Sequence, residues 1–336
     1  MEKNYDLLTL GRSSIDLYAN EIGAAFVAIQ NFGAFVGGSP LNIATGARRL
    51  GINAALLTGV GEDQVGNFIL HFLQQEGVET KFIPRIPGTR SSAVVLGIEP
   101  PDRFPLVYYR DNCADSQISI DHVLAANISQ FRMLEISGTA LNMEPSRSAA
   151  FFAVEEANKA HVPVALDLDF RADQWHDLRA FGITTRALLP RVTVAIGTEE
   201  EILATMLHDS RQVSIQHQQI SAPEITGDID EAIQGILALG VEALVVKRGR
   251  EGASYFLADG TQKDVPGFPV EVMNILGAGD AFAAGFIYGY LKGWDWYRSC
   301  RMGNACGAIV VTRHGCANFM PYEQEVLDFV ESKGGF

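Results

Sequence analysis

Asn274-Ile275-Leu276-Gly277-Ala278-Gly279-Asp280-Ala281-Phe282-Ala283-Ala284-Gly285-Phe286 is the stretch on which the reading turns. Three small residues lead into an acid, and the acid leads into an apolar run rich in Ala and Gly. A helix starting here presents unpaired backbone N–H groups and a partial positive charge at its first turn. Glycines let an oxyanion approach those N–H groups closely. Asp280, in the same turn, is placed to act as a base. An anion hole beside a carboxylate is what phosphoryl transfer to a hydroxyl needs, since the N–H groups hold the phosphate while the acid takes the proton. Taken alone, Gly-x-Gly-Asp is weak, because an ordinary capped, buried helix reads the same way.

A second segment, Gly37-Gly38-Ser39-Pro40-Leu41-Asn42-Ile43-Ala44, adds weight. Its glycine pair permits close backbone approach. Ser39 is expected to be the N-cap and Pro40 the first helical residue, with the helix running to Leu50 and stopping at Gly51. Asn42 then lies in the first turn of an apolar helix, where its amide needs a partner. A ligand hydroxyl and a helix-cap hydrogen bond both fit.

Around these segments, short apolar runs alternate with helical periods. Tyr5–Gly11, Asn53–Val60, Phe131–Ile136, Val162–Asp167, Val192–Ile196 and Ala243–Lys247 read as buried strands. Asp63–Gln75, Ser146–His161, Glu199–Leu207 and Asp228–Gly240 read as helices between them. This alternation predicts an α/β fold with a parallel sheet covered on both faces. Ile15–Ala19, Phe32–Val36, Ser91–Ile98 and Leu106–Arg110 break the pattern as hairpin strands, the last two flanking the Pro-rich Glu99–Pro105. They are expected to form a small β lid apart from the main sheet. Asp209–Gly227 is polar and Gln-rich, and reads as a surface excursion without a catalytic role.

The 336 residues carry 26 Lys+Arg against 40 Asp+Glu, a net charge of −14, which argues against nucleic acid and anionic membrane as partners. Met1–Asp6 runs straight into a short apolar strand, so no secretory signal is expected. No apolar run approaches the roughly 18 residues that span a bilayer. Cys113, Cys300, Cys306 and Cys316 form no C-x-x-C pair and read as small buried hydrophobes. A reduced, cytoplasmic protein is the expectation. Walker P-loop, G-x-G-x-x-G, H-E-x-x-H and G-x-S-x-G motifs are absent, and the seven His are scattered singly.

Together the two segments resemble the paired signatures of the ribokinase-like (PfkB) carbohydrate kinases, in order and spacing, over essentially the whole chain. The resemblance implies a three-layer α/β/α sandwich with a mostly parallel sheet. It implies one domain over 1–336, with a lid from about 12–37 and 90–112. ATP is the implied donor and Mg²⁺ the helper. By that match Asp280 is the base and the backbone of Gly277, Ala278 and Gly279 is the anion hole. Asp16, Gly38 and Asn42 match sugar-contacting positions. Lys247, Gly249 and Gly252 match a nucleotide-side turn, and Asn304 with Arg313-His314-Gly315-Cys316 falls where the family builds its adenine pocket. Members of the family often dimerise through the lid.

Two positions depart from the family pattern. Asn274 stands where Asp is usual, which puts a monovalent-cation site in doubt. Thr198-Glu199-Glu200-Glu201 stands where N-x-x-E is usual. That leaves Glu201 as the acid organising Mg²⁺ through water, with Thr198 in place of the Asn.

Arg110, after a lid strand, and Arg171, after a core strand, bear on the acceptor. Two Arg converging on a pocket of an acidic protein suggest an anionic sugar, because the guanidinium fork matches a carboxylate. Pairing of both with Asp111, Asp169 or Asp173 is the competing explanation. Within the family, the Tyr-Arg-x-Asn-Cys-Ala-Asp and Asp-x-Arg-x-x-x-Trp runs look like those of 5-dehydro-2-deoxygluconate kinases of inositol catabolism. That implies phosphorylation of the C6 hydroxyl of the acid sugar. A 2-keto-3-deoxygluconate kinase, a fructokinase-like neutral-sugar kinase and a non-catalytic sugar-binding regulator are the alternatives.

Overall fold

The computed structural model describes residues 3–99, 103–214, 223–314 and 316–336. Its centre is an eight-stranded sheet in the order β16-β15-β14-β11-β10-β9-β1-β4. The strands are β1 (Tyr5–Leu10), β4 (Ala54–Leu57), β9 (Phe131–Ser137), β10 (Val164–Asp167), β11 (Val194–Thr198), β14 (Ala243–Lys247), β15 (Gly252–Leu257) and β16 (Gln262–Pro266). From β14 to β4 every neighbouring pair is parallel, and β15 and β16 add an antiparallel edge.

Successive side chains on these strands enter opposite cores, which is why the strands read as continuous apolar runs. Leu7, Leu56, Met133, Ala165, Val194 and Val245 pack with α1 (Ser39–Arg49), α2 (Gln64–Gln75), α8 (Ala278–Leu291), α9 (Trp296–Val310) and α10 (Glu323–Ser332). Leu8, Leu57, Leu134, Leu166, Ala195 and Leu244 face the other way. They meet α3 (Ile120–Ala126), α4 (Ser146–Lys159), α5 (Leu178–Leu188), α6 (Glu199–Thr205) and α7 (Ile229–Leu237). The result is the α/β/α sandwich expected from the sequence.

Four strands stand apart from that sheet: β2 (Ser14–Ala19), β3 (Phe32–Gly37), β7 (Ser92–Leu96) and β8 (Leu106–Tyr109), paired in the order β3-β2-β7-β8. Tyr18, Val94, Leu96 and Phe104 form their small core, which closes on Cys316 and Leu276 beside the first turn of α8. Two further short pairs are β5 (Val60–Gly61) with β6 (Arg85–Ile86), and β12 (Val213–Ser214) with β13 (Glu224–Ile225). The last pair lies in the polar Asp209–Gly227 stretch, whose residues 215–222 fall outside the described residues, as do 100–102 of the Pro-rich connection. All four cysteines are buried and unpaired with one another.

One local expectation is corrected. The N-cap of α1 is Gly38, not Ser39, and Ser39 is the first helical residue. Gly38 has φ +111°, and a Cβ there would lie 2.3 Å from the Arg12 carbonyl oxygen, so only glycine fits. The Ser39 hydroxyl instead donates to Asp167 Oδ2 at 3.1 Å.

Candidate active site

The parallel strands end on one edge, and in such sheets that edge faces the ligand. Asp167 closes β10, Thr198 closes β11 and Lys247 closes β14. Over this edge meet the N-termini of α1 and α8, which pack so closely that a Cβ on Gly46 would sit 2.8 Å from Ala284 Cβ.

Asp280 is the third residue of α8. Asn42 Nδ2, from the first turn of α1, donates to its Oδ2 at 2.6 Å. The Asn42 amide oxygen is buried and has no hydrogen-bond partner among the described residues. Burial pushes the Asp280 carboxyl above its ordinary range, and Asp169 adds to this, while Asn42, Arg171 and Lys247 oppose it.

The turn before α8 is shaped by two constraints. Gly277 is its N-cap with φ +78°, and a Cβ there would lie 2.5 Å from the Cys316 amide nitrogen. Asn274 is fully buried, donates through Nδ2 to the His314 carbonyl at 2.5 Å and accepts from Leu276 N–H at 3.0 Å. An Asp here could not make the first of these bonds. Gly315, expected beside the adenine pocket, lies outside the described residues.

Lys247 Nζ reaches the first turn of α8, 3.2 Å from where a Cβ of Gly279 would be. It also bonds Asp167 Oδ1 at 3.0 Å and lies 3.6 Å from Glu201 Oε2. These acids outweigh its burial and keep the ammonium charged. Burial pushes Asp167 up to about 7, against the pull of Lys247. Glu201 is buried and completes a capping box with Thr198, accepting the Thr198 N–H at 2.8 Å. The Thr198 hydroxyl accepts the Glu201 N–H at 3.3 Å in return.

On the opposite side stands Asp16 in β2, whose Oδ1 accepts from Ser14 Oγ at 2.6 Å. A Cβ on Gly37 would strike Asp16 Oδ2 at 2.0 Å, so the glycine of the partner strand makes room for the carboxylate. Arg171 Nη2 pairs with Asp169 Oδ1 at 2.5 Å, and its Nη1 lies 3.7 Å from Glu201 Oε1. Arg110 Nε pairs with Asp115 Oδ2 at 2.7 Å, and its Nη1 donates to Thr139 O and Gln174 Oε1 at 3.0 and 2.8 Å. Arg171 therefore holds Asp169, one of the aspartates named by the competing explanation, whereas Arg110 holds Asp115, which that explanation did not name. Each still keeps one buried donor without a partner among the described residues, Arg171 Nε and Arg110 Nη2.

Gly252 and Asn304 meet at a different place. Asn304 donates to the Val265 and Pro266 carbonyls at 3.0 and 3.1 Å, tying α9 to β16. Gly252 has φ +104°, and a Cβ there would lie 2.2 Å from Val265 O. Gly249 has φ +56° and open space where a Cβ would point. Sequence reasoning passed over Asp167 and Arg12. The signal for both was a charged residue at or just after the carboxyl end of an apolar strand.

The pfkB family carbohydrate kinase model matches residues 4–323. The chain belongs to this family, and it is a sugar kinase. Among curated relatives, a 5-dehydro-2-deoxygluconokinase of Clostridium tetani (strain Massachusetts / E88) is 34% identical over 99% of this chain and 94% of its own length. One of Geobacillus thermodenitrificans (strain NG80-2) is 33% identical over 98% and 94%. Among solved structures, a putative ribokinase II from E. coli superposes with TM-score 0.85 at 24% identity, covering 98% of this chain and 99% of that one. A fructokinase with bound ATP from Xylella fastidiosa gives 0.83 at 22%, covering 98% of each. These likenesses support the ribokinase-like fold.

Proposed function

We propose that this kinase transfers the terminal phosphoryl group of ATP to the C6 hydroxyl of 5-dehydro-2-deoxy-D-gluconate. The observation that carries the choice of an acid sugar is the pair of unpartnered buried donors, Arg110 Nη2 and Arg171 Nε, at the sheet edge that also holds Asp280. A buried donor without an acceptor is costly, and a carboxylate supplies several acceptor positions at once. The curated relatives carry the same substrate in their names. A neutral sugar would leave the arginines unanswered.

In this reading Asp280, held by Asn42, takes the hydroxyl proton. Asp16 and the Gly38–Asn42 turn hold the sugar hydroxyls. The N–H groups of Gly277, Ala278 and Gly279, with the Lys247 ammonium beside them, receive the charge that develops on the phosphoryl oxygens. Structural relatives described with ATP, or with ATP and Mg²⁺, support a nucleotide donor, and in this reading it lies at Thr198, Gly249, Gly252 and Asn304. Glu201 already engages the Thr198 N–H and neighbours Lys247, which suits a role as an outer acid reached through water. Mg²⁺, when bound, neutralises phosphate charge. The Asn274 amide bonded to His314 O supports a turn that works without a monovalent cation.

The chain acts as one domain whose small sheet closes over the sugar and excludes water. Phe32, Val107 and Tyr109 are exposed on that sheet, and a second copy of the chain is the partner proposed there. The cytoplasm is the proposed compartment, and among the described residues no helix is long and apolar enough to cross a membrane. The test is product analysis by phosphorus and carbon NMR after incubation with Mg·ATP and the acid sugar. A phosphomonoester coupled to the C6 protons is expected. A product phosphorylated elsewhere, or none, overturns the reading.

A further inference from the structure

Arg12 has no part in the mechanism above, yet it is placed as few arginines are. It lies between the last residue of β1 and the first of β2, at the point where the chain leaves the core sheet for the small one. Its side chain is buried with 6% of the residue exposed. The guanidinium lies 5.1 Å from the centre of the Tyr108 ring, on β8 of the small sheet. Nη1 donates to Ser14 Oγ at 3.0 Å, and Ser14 Oγ donates in turn to Asp16. Nε is buried with no hydrogen-bond partner among the described residues. The charge is close enough to Asp169 and Arg171 to interact with both, and Asp173 is influenced by Arg171, Arg12 and Arg110 together.

Arg12 Nε, Arg110 Nη2, Arg171 Nε and Gln174 Nε2 are thus four buried donors of one neighbourhood without a partner among the described residues, and the orphan acceptors beside them are only Asp115 Oδ1 and Asn142 Oδ1 among those residues. Buried polar groups in native proteins are almost always paired, so a group of orphan donors points to an acceptor-rich ligand. Two arginines suffice to bind a carboxylate. The third differs because it belongs to the hinge and stacks on the small sheet.

We propose that Arg12 is a specificity-determining residue that engages the acid end of the sugar together with Arg110 and Arg171. By doing so it makes closure of the small sheet depend on the negative charge of the substrate. The inference rests on the acid-sugar reading given under Proposed function and adds a residue and a consequence to it. An acid sugar joins Arg171 of the core to Arg12 of the hinge, and Tyr108 follows Arg12. A neutral sugar of the same shape leaves the hinge arginine unpaired and the closed form less populated.

The test compares the acid sugar with its primary carboxamide, which keeps the shape and loses the charge, in wild type, R12Q and R12K. R12Q is expected to lower kcat/KM for the acid by about tenfold or more, and for the carboxamide by about threefold or less, with the ATP KM unchanged. R12K keeps the charge but not the fork, and falls between. Added guanidinium ion is expected to restore part of the R12Q loss, which separates a missing group from a misfolded chain. Ser14→Ala is the control for support of Asp16 and weakens both acceptors alike. Equal losses with acid and carboxamide in R12Q, or an acid preference that survives R12Q, overturn the role of Arg12 while leaving the acid-sugar reading intact. A wild type that neither binds nor turns over the acid sugar overturns both.

Discussion

Asn42 Nδ2 donates to Asp280 Oδ2 across 2.6 Å, so the amide at the start of one helix holds the carboxylate at the start of the other. The bond links the two segments whose glycines mark the sequence, and it holds the carboxylate that we propose as the base. Burial raises the Asp280 pKa and the Asn42 bond lowers it. Asn42→Leu therefore moves that pKa further up. The base must be ionised to work, so the acidic limb of the kcat/KM profile shifts to higher pH. Asp280→Asn is expected to cut kcat by a factor of about 10² or more while sugar binding, read by calorimetry, changes little. An unshifted limb in the first variant, or near-normal turnover in the second, argues against Asp280 as base.

Gly277→Ala tests the anion-hole turn. The residue has φ +78° and no room for a Cβ beside the Cys316 amide. The left-handed conformation alone costs about 1–2 kcal/mol. The variant is expected to lose kcat far more than it raises the sugar KM, because in the proposed mechanism the turn serves the transferring phosphoryl group. Steady-state kinetics beside a thermal melt would show whether the loss exceeds that of stability.

Glu135 gives a prediction about stability. It sits in the middle of β9 with 1% exposure, and both its carboxylate oxygens lack a partner among the described residues. Burial pushes its pKa well above the ordinary value, and Asp167, Asp280 and Asp169 push the same way. Below the ordinary carboxyl pKa, folded and unfolded chains both carry the proton. As pH rises through that value, the unfolded chain ionises while the buried group stays protonated, so stability falls. Glu135→Leu removes this and is expected to gain about 1–3 kcal/mol near neutral pH, with a smaller gain near pH 4. Thermal melts at the two pH values check both the sign and the trend.

Asn274→Asp exchanges a donor for an acceptor facing the His314 carbonyl. The two oxygens repel unless a cation lies between them. The variant is expected to melt earlier and to need added potassium for activity, whereas the wild type is expected to do without it. A variant indifferent to potassium contradicts this account of the turn.

Much of this architecture was legible because it rests on local chemistry. The glycines before Asp280 announce a helix start open to an anion, and the apolar runs announce strands buried on both faces. Ser39 was misread as a cap because the constraint on Gly38 comes from the Arg12 carbonyl, far away in sequence. Lys247 stands out by its match to the family's nucleotide-side turn, but its bond to Asp167 depends on the sheet order, which brings residues 80 positions apart together. For Arg12 the sequence offers only a charge after an apolar strand, and the return of β8 over it makes a buried guanidinium. Glu135 lies in an apolar strand with nothing in its neighbours' identity to mark it. Pairing across the fold, not composition, decides such positions.

The most direct measurement is ADP release by the purified protein with Mg·ATP and a panel of acceptors: 5-dehydro-2-deoxygluconate, 2-keto-3-deoxygluconate, fructose and ribose. The account predicts the highest kcat/KM for the first, a lower value for the second acid sugar, and little turnover of the neutral sugars. A preference for fructose or ribose would contradict the arginine clamp and with it the proposed substrate.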